Sequence, residues 1–119
     1  MAVARFEFVT IDAVDPERLA SFWSAVLDTP LGASMDDGRF VFLKAGEALP
    51  LLCFQRVPEP KTGKSRMHLD LAVDDLDAAT TRIEQLGGSR TGGADHSLGD
   101  VRWRTLTDPE GNEFDITVG

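Results

Sequence analysis

The chain has 119 residues, 42% hydrophobic and 27% charged, a balance that suits one soluble globular domain with its own core. Acidic residues number 20 and basic residues 12, for a formal net charge of −8. That excludes nucleic acid or an anionic membrane surface as a main partner, because phosphate binding needs basic patches, and the single cysteine, Cys53, excludes an internal disulfide.

Val3 to Ile11 is rich in Val, Phe, Thr and Ile and predicts a strand. Asp15 before Pro16 is an N-cap followed by proline at the first helical position. Leu19, Phe22, Trp23, Val26 and Leu27 then share one helical face. Phe22 and Trp23 read as core. Pro30 and Gly32 close the helix. Arg39 to Ala45 and Leu51 to Val57 are strand-like runs joined by Gly46 to Pro50. Cys53, inside the second run, reads as an inert buried thiol. Pro58 to Arg66 is a polar loop carrying Lys61, Lys64 and Arg66.

Met67 to Val73 alternates strictly, with His68, Asp70 and Ala72 on one side. Asp74 or Asp75 caps a second helix, whose apolar face is Leu76, Ala79, Ile83 and Leu86, and Gly87-Gly88 supplies its left-handed stop. Ser89 to Gly99 is glycine-rich, with at most a short strand, and His96 lies in it. Val101 to Thr107 is a strand. Asp108-Pro109-Glu110-Gly111-Asn112 is a turn, and Glu113 to Val118 closes the chain as a strand with Glu113, Asp115 and Thr117 on one face. If Thr107 faces Glu113, Trp103 and Thr105 share the Asp115 face. A register slip would put Arg102 and Arg104 there and favour an anionic ligand.

The chain is thus one unit written twice: a strand with an acidic corner, a helix, a glycine and more strands. Module 1 spans residues 1–58 and module 2 residues 66–119 of a single domain. Helices packed on one sheet face leave the other free to form a cup, which suits a small molecule. No apolar run near the chain start resembles a signal peptide, and none approaches the ~20 residues of a membrane span. A cytoplasmic protein is expected.

Three segments resemble the vicinal oxygen chelate superfamily of glyoxalase I, bleomycin-resistance proteins and extradiol dioxygenases. They are Asp15-Pro16 through Phe22-Trp23 to Leu27, His68 through Asp74-Asp75 to Leu86-Gly87, and Asp108-Pro109-Glu110-Gly111-Asn112 to Asp115. The resemblance covers essentially the whole chain and is strongest to glyoxalase-like members. It implies an α+β fold of two paired βαβββ modules forming one curved mixed sheet, with helices on its outer face, and a homodimer. Metal-dependent members take their ligands from the first and last strand of each module. The resemblance places His68 and Asp115 at those positions in module 2, and the repeat spacing then gives Phe8 and Gln55 in module 1.

Phenylalanine cannot bind a metal and Gln55 offers an amide oxygen, so His68, Asp115 and Gln55 form a metal-ligand set broken at Phe8. His68 and Asp115 are the catalytic candidates, and Phe8, Gln55, His68, Trp103 and Asp115 the candidates for binding substrate. The expected function is binding, or sequestering, a small organic ligand in the cup without a cofactor. The alternative is a lyase, isomerase or dioxygenase that uses a divalent metal at His68 and Asp115.

Overall fold

The computed structural model describes residues 2–44, 46 and 51–119. Most of the expected link Gly46 to Pro50, and Ala45 before it, lie outside the described residues. Contacts divide the chain into two units, Met1–Pro60 and Lys61–Gly119, built on the same plan.

The first unit runs β1 (Phe8–Ala13), α1 (Pro16–Leu27), β2 (Leu31–Met35), β3 (Phe40–Leu43) and β4 (Leu51–Arg56). Asp15 caps α1 by accepting from the Arg18 N–H at 3.2 Å, and Pro16 takes the first helical position. The helix stops at Asp28, which is itself left-handed with φ 49°, so termination comes before Pro30. β1 pairs β4 in parallel, and β4, β3 and β2 continue antiparallel. Leu19, Ala20, Phe22 and Trp23 of α1 are buried, as are Val41, Leu43, Leu52 and Phe54 of the sheet. β2 is a strand that the sequence does not announce: Leu-Gly-Ala-Ser-Met lacks β-branched residues, and all five positions are exposed. Pairing with β3 makes it a strand.

The second unit runs β5 (Asp70–Ala72), α2 (Leu76–Leu86), β6 (Ser89–Arg90), β7 (His96–Leu98), β8 (Val101–Thr107) and β9 (Glu113–Val118). Asp75 caps α2 through the Ala78 N–H at 2.8 Å. At its end Gly87 has φ 111°, a conformation that glycine adopts without Cβ strain. β5 pairs β9 in parallel and β9 pairs β8 antiparallel. β6 and β7 both pair β8, and together they stand where β2 stands in the first unit. The chain is therefore α+β, with two βαβββ modules, each with its own mixed sheet.

One sheet face of the second unit belongs to α2. Leu106, Phe114 and Ile116 are buried there with Leu76 and Ile83. Arg104 shares this face. Its guanidinium donates to the Leu76 carbonyl and Thr80 hydroxyl of α2, and to Asp77 and Asp95. The opposite face carries the polar residues from which the site is built.

Candidate functional site

The β8–β9 register puts Thr107 opposite Glu113, Thr105 opposite Asp115 and Trp103 opposite Thr117. Directly paired residues share a face. Trp103 and Thr105 thus lie on the Asp115 face, and Arg104 on the helix side. The parallel ladder sets Asp70 beside Asp115, and His68 precedes Asp70 by two residues, on the same side of the chain.

These side chains meet. His68 Nδ1 lies 3.2 Å from an Asp70 carboxylate oxygen and 3.7 Å from one of Asp115. Thr105 donates its hydroxyl to the other Asp115 oxygen at 2.6 Å. One ligand atom from each of His68, Asp70 and Asp115 lies within 4.8 Å of the others. The His68 and Asp70 side chains are 45% and 56% exposed, whereas that of Asp115 is 11% exposed. Asp115 is thus the fixed floor of the cluster. Desolvation pushes the Asp70 carboxyl above the ordinary carboxylate range; His68 opposes the rise, and the neighbouring Asp115 carboxyl adds to it. Among the described residues no Lys or Arg pairs with either carboxylate.

A divalent metal fits this set. Metal–ligand bonds of about 2.1 Å put tetrahedral donors roughly 3.4 Å apart; His68 Nδ1 already stands 3.2 Å and 3.7 Å from the two carboxylates, and the full set lies within 4.8 Å. One imidazole and two carboxylates are borderline-to-hard ligands that suit zinc, manganese or iron. Asp70 is not among the ligand positions that the family resemblance implies. Strict alternation placed it on the His68 side, and that was the available signal. Its pairing with Asp115 needed the ladder.

Phe8 and Gln55 lie in the first unit, where the register corrects one equivalence. The N-caps Asp15 and Asp75 align Thr10 with Asp70. The ladders pair Thr10 with Cys53, and Asp70 with Asp115. Cys53, not Gln55, therefore stands where Asp115 stands. The burial sequences of β4 and β9 agree, each beginning half-buried and then running through three buried residues. A constant repeat spacing fails because the strands after the helices differ in length between the modules. Gln55 falls on the same face as Cys53, one pleat further along, opposite Phe40. In this unit Phe8 meets Phe42 edge-to-face at 5.7 Å, and burial raises the Cys53 thiol against a hydrogen bond from Thr10. The module 1 counterpart of the His-Asp-Asp cluster is thus aromatic and largely apolar.

Trp103 carries His96 stacked on it, with ring centroids 5.4 Å apart at 22°. His96 is thereby a β7 residue paired across to Trp103, not a loose loop side chain.

A glyoxalase-like domain model matches residues 8–117. The chain belongs to that family, within the vicinal oxygen chelate superfamily. It resembles in fold a glyoxalase/bleomycin resistance protein/dioxygenase family enzyme from Burkholderia phytofirmans PsJN, at TM-score 0.79 and 19% identity, covering 97% of this chain and 98% of that one. A fosfomycin resistance protein from Mesorhizobium loti matches at TM-score 0.72 and 19% identity, covering 100% and 94%. A lactoylglutathione lyase from Agrobacterium tumefaciens matches at 0.66 and 20%, covering 100% and 96%. Among curated proteins none matches in sequence. No helix among the described residues is long and apolar enough to cross a membrane.

Proposed function

We propose that the chain binds a small organic molecule at the His68–Asp70–Asp115 cluster, holds a divalent cation there through these three side chains, and acts on the molecule as a lyase, isomerase or dioxygenase. The observation that supports this most is the cluster itself. Two carboxylates and an imidazole converge within 4.8 Å with no Lys or Arg paired to the carboxylates among the described residues. A cation satisfies that concentration of charge. When bound, it would polarise an oxygen of the ligand as a Lewis acid.

The chain's own groups have distinct parts. Thr105 fixes one Asp115 oxygen and leaves the other turned toward His68. Without a cation, His68 and Asp70, the exposed pair, are placed to take a proton from the ligand or return it. Fold neighbours carry the names lyase, dioxygenase and resistance protein, all of which concern small molecules.

The closeness of the Asp70 and Asp115 carboxyls, paired across the ladder with ligand atoms within 4.8 Å, favours a second reading. A proton shared there does part of a cation's work, and the protein then binds or sequesters its ligand without a metal. Elemental analysis of protein purified without chelator separates the two. The first reading expects stoichiometric metal that is lost in His68→Ala and Asp115→Ala. Metal-free protein whose ligand turnover still depends on His68 would replace it with acid–base chemistry. A cytoplasmic homodimer completes the proposal, and light scattering tests the dimer.

A further inference from the structure

A cleft of about 430 Å³ lies within Lys61–Gly119, lined by Lys64, Thr91, His96, Thr105 and Glu113 and by glycine-rich backbone. Thr105 belongs to both cleft and cluster: it lines the first and donates to Asp115 in the second. A ligand in the cleft therefore lies beside the His68–Asp70–Asp115 group.

The charges in the cleft are unevenly matched. Glu113 is its carboxylate and is already satisfied. It accepts from the Ser65 N–H at 2.8 Å, and Lys61 lies 3.5 Å away. Chiefly the Ser65 hydrogen bond, and then Lys61, hold it below the usual carboxylate range against its partial burial. Lys64 has no acidic partner among the described residues. His96 is fixed flat on Trp103 and adds a second nitrogen donor. An unmatched ammonium in a concave site, on a chain of net charge −8, is the feature that recognises an anion. One ammonium beside a fixed Glu113 suits a single negative charge better than a doubly charged phosphate.

We infer that this cleft takes the carboxylate end of a small organic acid whose remaining oxygens face the His68–Asp70–Asp115 cluster. The inference rests on the function proposed above and names its substrate class. Lys64 supplies the charge, His96 a hydrogen bond, and Thr105 marks the border between the two ends of the ligand.

The test is an NMR titration of ¹⁵N-labelled, chelator-treated protein with monomethyl succinate, dimethyl succinate and inorganic phosphate. Monomethyl succinate, with one carboxylate and neutral ester oxygens at its other end, is expected to shift the amides of Lys64, Gly93, His96 and Thr105, and dimethyl succinate and phosphate to bind more weakly. Lys64→Ala should weaken the monoester by about fivefold, as expected for one exposed charge pair. Lys64→Arg should keep most of the affinity. His96→Phe preserves the ring stack and should weaken the monoester while leaving Trp103 in place. Equal binding of the diester or of phosphate would overturn the inference. So would shifts confined to His68 and Asp70 with no effect of Lys64→Ala, or no binding at millimolar monomethyl succinate. The protein is metal-free throughout, so a failure here is separate from a failure to find metal in the purified protein.

Discussion

Replacing Asp70 with Asn tests the charge arrangement of the cluster directly. Asparagine keeps the shape of Asp70, an oxygen for His68 Nδ1 and a hydrogen-bond donor for Asp115, and removes the charge alone. At 4.8 Å, the outer limit of the ligand-atom separations, two like charges repel by about 1 kcal/mol in water and about 3 kcal/mol at the effective dielectric of a protein surface. Asp70 is 56% exposed, so solvent screening selects the lower figure. In the presence of chelator at pH 7, Asp70→Asn should therefore stabilise the fold by about 1 kcal/mol and raise Tm by about 4 °C.

The pH dependence has a definite sign. The unfolded chain releases the Asp70 proton near the ordinary value of 3.8, and the fold holds it to higher pH. In that window the folded state binds more protons, so its stability falls as pH rises. Asparagine has no such loss. The advantage of the variant should vanish below pH 3.8 and grow toward neutrality. Adding manganese should reverse the order, because the carboxylate is the better ligand. Thermal melts across pH, with and without manganese, supply every arm. A variant less stable than the parent in chelator at pH 7, or a difference independent of pH, would refute the like-charge reasoning.

Three further outcomes follow from particular contacts. Thr105→Val removes the 2.6 Å hydrogen bond to the nearly buried Asp115; calorimetry should show a loss of about 1–2 kcal/mol, and manganese should bind roughly tenfold more weakly, with Thr105→Ser restoring both. Gly88→Ala would place a Cβ 2.5 Å from Ile83 Cγ2 and 3.0 Å from the Thr107 carbonyl; urea denaturation should register a loss of about 1–3 kcal/mol, and a neutral result would mean that α2 and β8 can separate at little cost. Cys53 is 1% exposed and burial raises its thiol, so iodoacetamide followed by mass spectrometry should find it unmodified in the native chain and fully alkylated in urea.

Much of this protein was written locally. Both helices begin where Asp15 and Asp75 say they should, because an N-cap side chain needs nothing beyond its own first turn. Alternation placed His68 and Asp70 on one side of a strand, and the turn at Asp108 brought Thr107 opposite Glu113, so Trp103 and Thr105 fell on the Asp115 face. The matching βαβββ plan was equally legible, since strand and helix periods differ and repeat in order. Where the reading fell short, the missing quantity was non-local. β2 has no strand propensity of its own and exists because β3 offers it a ladder.

The match of Gln55 to Asp115 assumed one spacing throughout, and a two-residue difference in length moves a strand by one pleat without changing its face. That is why Gln55 reads correctly as to side and wrongly as to position, with Cys53 in its place. Asp70 shows the same limit from the other direction. Sequence fixed which way its side chain points, through a period of two. Only the parallel pairing of β5 with β9 decided that Asp115 stands beside it, because the partner of a parallel strand lies more than 40 residues away along the chain and is chosen by the packing of the helix between.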